Sequence, residues 1–182
     1  NHSLEESGFA IVEEFIEADF ASQLAEESKV LFTAGKFRPA TTGKEKTESD
    51  LRSDLICWWG DELTPLQQTL HQHLSVLKDE LNEELMMGLW DYECHYAMYP
   101  EGAHYKKHTD RFQDDDLRVL SFALYLNDPR SGGELELFVN DDSVLVQPTA
   151  GKLVLFLSDK IPHEVHPAVA LRLSLSGWFR RR

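Results

Sequence analysis

Cysteine is scarce: Cys57 and Cys94 are the only two in 182 residues. Two thiols cannot build a disulfide framework, so a reducing compartment is expected and the core must hold the fold. No apolar run approaches the roughly 18 residues that cross a bilayer. No charged-then-apolar opening stretch reads as a leader, and the expected location is the cytoplasm. Basic residues are outnumbered, 18 against 32 acidic, leaving a net charge of −14. That imbalance argues against nucleic acid, whose phosphates need Lys and Arg, and against an anionic membrane surface. It suits a small-molecule or basic-peptide partner. Internal repeats and low-complexity tracts are missing. An apolar fraction of 42% is ordinary for a globular chain. The expectation is one domain over residues 1–182, with residues 1–91 as helical support and substrate loop and 92–180 as a β core.

What is present changes texture half-way. Residues 8–16 (GFAIVEEFI) read as a strand. Asp19 opens a helical pattern that Gly35 closes. Residues 36–54 are polar and aperiodic, carry Pro39 and Gly43, and read as a long loop. Thr64-Pro65 is a helix start, and Leu66, Leu70, Leu74, Leu77, Leu81 and Leu85 mark one apolar face of a long helix ending near Gly88. His71 and His73 lie two apart on it, point to different faces and read as solvated. From Tyr92 the period becomes two, in short β-branched and aromatic segments separated by turn signals such as Gly132-Gly133. Helices followed by many short strands give an α+β fold, with helices on the outer face of a jelly-roll-like pair of sheets.

His108 and Asp110 lie two apart on an alternating segment and can share a face. An imidazole and a carboxylate so placed are two-thirds of the facial triad that leaves open positions on Fe(II). By itself the pair is weak: with 8 His in the chain, about half a chance match is expected. The second imidazole must come from another strand, and His163 and His166 are both available. His163 follows an apolar strand and Ile161-Pro162, as an inward-pointing ligand would. Arg172, nine residues on, shares a strand face with Ser174, Ser176 and Trp178. A guanidinium there, with a serine hydroxyl beside it, can grip a carboxylate. The plain alternative is a salt bridge to one of the many acids.

Together these residues resemble the Fe(II)- and 2-oxoglutarate-dependent oxygenases of the prolyl 4-hydroxylase family, closest to the hypoxia-sensing prolyl hydroxylases and their bacterial relatives. The resemblance runs through Tyr99-Pro100-Glu101-Gly102, His104 to Asp110, Tyr125-Leu126-Asn127, Ser131 to Leu135, His163-Glu164-Val165, Arg172 and Trp178. More loosely it takes in Arg52-Ser53-Asp54 and Trp58-Trp59. It implies a double-stranded β-helix (jelly-roll, cupin-like) core with supporting N-terminal helices. It implies Fe(II) on His108, Asp110 and His163, with O2 and 2-oxoglutarate as co-substrates and ascorbate as reductant. Arg172 and Tyr125 would hold the distal carboxylate of 2-oxoglutarate, and Tyr99 would lie near its keto-acid end. Leu135, Val165, Ser176 and Trp178 would line the pocket. The His-Glu-Val pattern favours His163 over His166 as ligand.

The implied reaction hydroxylates a proline-bearing protein or peptide, with Arg118 and Arg52 among the substrate contacts. A free amino acid or small metabolite is the alternative substrate. Oxygenases that act on methylated bases carry a second arginine where this chain has Trp178, and a decayed binding module would have lost part of the set. The 36–54 loop, basic at Lys36, Arg38, Lys44, Lys46 and Arg52, is expected to fold over the substrate, with Trp58-Trp59 anchoring its far end.

Overall fold

A computed structural model describes residues 2–41, 51–110 and 117–182. In chain order the elements are α1 (His2–Ser7), β1 (Phe9–Val12), α2 (Ala18–Thr33), β2 (Arg38–Pro39), β3 (Leu55–Trp58), α3 (Pro65–Leu85) and β4 (Asp91–Tyr99). They continue with β5 (Tyr105–His108), β6 (Arg118–Tyr125), β7 (Leu135–Val139), β8 (Asp142–Val146), β9 (Leu153–Leu157), β10 (His163–Val165) and β11 (Arg172–Arg180). Every pairing is antiparallel, in a seven-stranded sheet ordered β1-β9-β6-β11-β4-β3-β2 and a four-stranded sheet ordered β5-β10-β7-β8. The expected jelly-roll pair of sheets is the architecture.

The pleat sorts the large sheet into two cores. On β4, Cys94, Tyr96 and Met98 join the outer core with Leu24, Leu70, Leu74 and Leu81 of the helices. Their alternates Ala97 and Tyr99 join the inner core, which closes against Leu135, Leu137 and Val165 of the small sheet. The same split holds for Leu120, Phe122 and Leu124 against Ala123 and Tyr125 on β6. Successive strand residues point to opposite faces, so one face packs on helices while the other lines the space between the sheets.

The first half differs from the sequence expectation in its strands. β1 closes one edge by pairing with β9, and β3 pairs with β4, so N-terminal segments extend the large sheet. The strand expected over residues 8–16 stops at Val12, because the amides of Phe15 and Ile16 turn back to the carbonyl of Gly151. The segment expected as a loop is strand-paired at both described ends: β2 pairs with β3, and Arg52 bridges Tyr105. Pro39 is compatible with β2 because that strand is the sheet edge, where a missing N–H costs no ladder bond. The middle of the segment, including Lys44 and Lys46, lies outside the described residues. Among the described residues no helix is long and apolar enough to cross a membrane.

Helix α3 starts as expected. The Thr64 hydroxyl accepts from the Gln67 amide at 3.2 Å, and the Gln67 side chain accepts from the Thr64 amide at 3.3 Å, a reciprocal cap. The helix ends on Met86 in the left-handed conformation. The cap also locks the helices to the sheet. Thr64 Oγ1, Gln67 Nε2 and Tyr96 Oη all donate to the Glu27 carboxylate of α2, at 2.7, 2.8 and 2.7 Å. A Thr64→Ala substitution removes the cap and one donor to a part-buried carboxylate. It is expected to cost about 1–2 kcal/mol and to lower Tm by several degrees, while Thr64→Ser recovers most of the loss. Matched thermal melts of the three proteins check this; an unchanged Tm in the alanine variant would show the cap to be dispensable.

Candidate active site

The three residues of the expected triad meet at the mouth of the inner core. His108 ends β5, His163 opens β10, and the two are paired in register. Asp110 lies just past β5, so it reaches the site from the turn rather than from the strand itself. The Asp110 carboxylate oxygens lie 3.5 Å from His108 Nε2 and 3.6 Å from His163 Nε2. One ligand atom from each of the three falls within 4.8 Å of the others.

The backbone fixes which nitrogen faces inward. Nδ1 of His108 lies 2.8 Å from the Lys106 carbonyl, and Nδ1 of His163 lies 3.2 Å from the Ile161 carbonyl. A carbonyl only accepts, so each Nδ1 carries the proton and each Nε2 presents a lone pair to the pocket. Burial holds the His163 pKa down to about 4, although Asp110 pulls it the other way. Burial pushes the Asp110 carboxyl up, but the neighbouring His163 and His108 imidazoles and the Ser121 hydroxyl outweigh it and hold the group well below the usual carboxylate range. His108 Nε2 is buried with no hydrogen-bond partner. Two bare imidazole nitrogens and one carboxylate are the donor set of a non-haem Fe(II) site, and the unpartnered nitrogen is what a metal would satisfy.

Arg172 sits deeper on the same face. It is 2% exposed, and its Nη1 donates to Ser174 Oγ at 3.3 Å. The rings of Tyr99 and Tyr125 lie 4.6 and 5.1 Å from its guanidinium carbon. Arg172 Nε and the Tyr125 hydroxyl are both buried and unpartnered. Among the described residues no carboxylate pairs with Arg172, so the salt bridge that was the plain alternative is not formed. A buried guanidinium with open donors fits a carboxylate arriving from outside. Gly133 makes the room: a Cβ there would stand 2.7 Å from Arg172 Cδ.

The pocket between triad and arginine is lined by Tyr99, Leu135, Val165, Ser176 and Trp178, all expected, and by Phe156 and His95, which were not. His95 had a legible signal. In Glu93-Cys94-His95-Tyr96-Ala97-Met98-Tyr99 the alternation puts His95 on the face of Tyr99. His166 points elsewhere, with Nε2 held 2.7 Å from Glu136. Arg118 lies outside this lining: it pairs with Glu93 at 2.8 Å and stacks 3.6 Å over Trp178, forming the rim. The acids at 114–116 lie outside the described residues. Arg52 lines the pocket, forks onto Asp54 at 2.8 and 2.6 Å, and covers Tyr105, whose ring stacks on His108. Burial opposes the Arg52 charge, but Asp54 more than compensates and raises its pKa. Of the supposed anchor pair, Trp59 packs against the outer core, whereas Trp58 is 48% exposed beside His95. His71 and His73 are surface residues as expected, though His71 bonds the Tyr92 hydroxyl and His73 lies against Phe15 and Phe20.

Comparison with known proteins agrees with this geometry. The family model of the 2OG-Fe(II) oxygenase superfamily matches residues 94–180. A crystal structure of a Pseudomonas putida prolyl-4-hydroxylase superposes on all of this chain and 96% of that one, with 40% identity and a TM-score of 0.91. The chain belongs to the prolyl 4-hydroxylase family. The Fe(II), 2-oxoglutarate and O2 that this family uses fit the donor set and the open arginine described above. Egl nine homolog 1 of Homo sapiens is 30% identical over 94% of this chain and 43% of its own length. A Trichoplax adhaerens prolyl hydroxylase, solved with a hypoxia inducible factor oxygen degradation domain peptide fragment, is 26% identical, with a TM-score of 0.85 over 98% of this chain and 86% of that one. The chain spans about half or less of the curated relatives it matches.

His95 gives this site a pH signature. Burial is the largest cause of its low pKa, and Arg52 adds to it, bringing the imidazole from 6.5 down to about 4. An unfolded chain takes up that proton first, so the stability from keeping His95 neutral is complete above pH 6.5 and drains away as pH falls towards 4. The loss is on the order of 1 kcal/mol per pH unit in that window. Denaturant midpoints of the metal-free protein at pH 7 and pH 5 should show a smaller drop for His95→Gln than for wild type. Equal drops would mean that His95 titrates normally.

Proposed function

We propose that this chain is a peptidyl-prolyl hydroxylase, with residues 1–182 acting as a single oxygenase domain. The observation that carries the reading is one pocket holding a two-histidine, one-carboxylate set and a buried arginine with no anion of its own. The substrate class is supported by the relatives: a prolyl-4-hydroxylase at 40% identity, and a prolyl hydroxylase solved with a peptide.

In this reading His108, Asp110 and His163 hold Fe(II), and Arg172 with Tyr125 holds the distal carboxylate of 2-oxoglutarate. When bound, iron, 2-oxoglutarate and O2 supply the oxidising chemistry, which hydroxylates a C–H bond and leaves succinate and CO2. The protein contributes orientation. The Lys106 and Ile161 carbonyls keep both Nε2 atoms aimed inward. Asp110 stays anionic, so the site carries one negative charge towards the metal. Leu135, Val165, Phe156 and the Trp178 ring exclude water from the reacting centre. Tyr99, which lines the same pocket with its ring 4.6 Å from the Arg172 guanidinium carbon, is the proposed neighbour of the keto-acid end. Arg118 at the rim and Arg52 in the pocket wall are the proposed substrate contacts, and residues 36–54 are the proposed cover. Ascorbate is the proposed reductant. The cytoplasm is the proposed compartment, supported by two free thiols. Incubation with Fe(II), 2-oxoglutarate and host proteins, followed by a mass-spectrometric search for one added oxygen on proline, tests the substrate class. Oxygen incorporation into free amino acids with none into protein would turn the assignment to a metabolite.

His108→Ala, Asp110→Ala and His163→Ala should each abolish Fe(II)-dependent turnover, because a three-ligand set has no spare member. His166→Ala should keep it. Metal binding that survives His163→Ala but fails in His166→Ala would exchange their roles.

Arg172→Ala should raise the 2-oxoglutarate KM by the equivalent of about 2–5 kcal/mol, since a buried charged contact goes. Tyr125→Phe should cost about 1 kcal/mol, one hydrogen bond. Succinate release titrated against 2-oxoglutarate reads both; wild-type curves for both variants would remove these two residues from the co-substrate site.

A further inference from the structure

His95 is the one imidazole on the pocket wall that the triad does not use. It is 3% exposed, and its Nδ1 is buried without a hydrogen-bond partner. The rings of Trp58 and Trp178 stand 4.7 and 5.6 Å from it, on the two strands that flank β4. Between these rings the Nδ1 atom is buried, and the space that His95 lines is the ligand pocket, from which a partner for Nδ1 can come. A buried polar atom left open costs about 1–3 kcal/mol, which makes an open one next to a ligand cavity a mark of the ligand.

Its level in the sheet says which end of the ligand it meets. In the β4–β11 register Arg172 lies opposite Tyr99, and His95 lies opposite Ser176, four residues further along. Four residues of strand are about 13 Å, a span that a guanidinium arm, a short diacid and an imidazole together fill. The charges acting on His95 are those of Arg52, Asp54, Asp110 and Arg118, so it sits at the level of the triad rather than that of Arg172.

We propose that His95 is a positioning residue for the co-substrate, its Nδ1 hydrogen-bonding an oxygen at the metal-facing end of 2-oxoglutarate while Arg172 holds the far carboxylate. This rests on the function proposed above and adds to it a third fixed point. Two contacts at the ends of a flexible chain leave its middle free to rotate. A contact beside the metal removes that freedom and fixes which way the keto-acid end faces.

The test is binding to the Zn(II)-loaded full chain, where no turnover occurs. Calorimetric Kd values for 2-oxoglutarate are compared in wild type, His95→Leu and His95→Gln, with Zn(II) affinity and Tm measured alongside. His95→Leu should raise the 2-oxoglutarate Kd about tenfold, equivalent to 1.4 kcal/mol, with Zn(II) affinity unchanged. His95→Gln, which keeps a polar group at that position, should stay within about threefold of wild type. Equal weakening in both variants would mean that only ring packing was lost, and a wild-type Kd in His95→Leu would mean that no bond existed; either overturns the proposal. Nitrogen NMR of ring-labelled histidine in the unaltered protein gives an independent reading. The His95 Nδ1 resonance must move when 2-oxoglutarate is added, and a resonance that stays put overturns the proposal even if the leucine variant fails to fold. Wild-type protein that binds Zn(II) but not 2-oxoglutarate overturns the function itself, whereas wild-type binding that His95→Leu leaves intact overturns only the role of His95.

Discussion

The site depends on the pleat of β11. This strand lies inside the large sheet, with β4 on one side and β6 on the other, so both its faces are covered. Leu173, Leu175 and Phe179 fill the outer core beneath the helices. Arg172, Ser174, Ser176 and Trp178 fall on the opposite face by geometry alone. A slip of one residue against β4 would put Arg172 into the leucine core and a leucine into the pocket. Burial on both faces therefore specifies the register and the chemistry at once. Gly177 fits the same demand: a Cβ there would stand 2.7 Å from Cys94 Cβ, so the crossing of β4 and β11 at this point requires glycine.

A face so specified carries a cost in stability. Arg172, His108, His95 and Tyr125 all present buried polar atoms with no partner inside the protein. Each lowers the stability of the empty fold, and each is relieved by a ligand that brings the complementary group. The fold offsets this elsewhere. The Glu27 carboxylate gathers donors from Thr64, Gln67 and Tyr96 and ties both long helices to the back of β4. Most of the unpartnered buried atoms among the described residues thus gather on the inner face, while the outer side keeps two, Ser28 Oγ and Trp59 Nε1.

Much of this was legible in the sequence because it is periodic. The α3 leucines, the Thr64-Pro65 start, the alternating strands and the His108–Asp110 pair follow from spacing, whereas the choice of His163 over His166 follows from the family's His-Glu-Val pattern. The isolated His-x-Asp was uninformative until Arg172 and its strand joined it. What was hidden is long-range. Nothing in Arg38–Pro39 announces a partner in β3, and nothing in Glu27 announces Thr64, 37 residues away. The role of Arg118 as a rim residue depends on Glu93 from a neighbouring strand, an ion pair that composition cannot reveal. His95 was within reach, since the alternation that located Tyr99 also locates it. It went unread because a histidine on a buried face has no motif of its own.

The rim shows how positions far apart in sequence come to act on one histidine of the triad. Arg52 forks onto Asp54, covers the Tyr105 ring at 4.1 Å, and Tyr105 in turn stacks on His108 with ring centroids 3.5 Å apart and planes 15° from parallel. The chain immediately before β3 is thus fastened to an imidazole of the triad by one ion pair and two stacked planes. Asp54 is 1% exposed, so removing the guanidinium would leave a buried carboxylate without its cation, a larger disturbance than losing one surface contact. The Asp54 charge would then act uncompensated on His95 and Tyr105, both of which already feel it. Substitution of Arg52 therefore works first through the frame that holds His108, and only secondly through any substrate that Arg52 touches. A variant that keeps the ion pair and shortens the reach, Arg52→Lys, separates the two effects: it preserves the charge on Asp54 while giving up the planar stack on Tyr105.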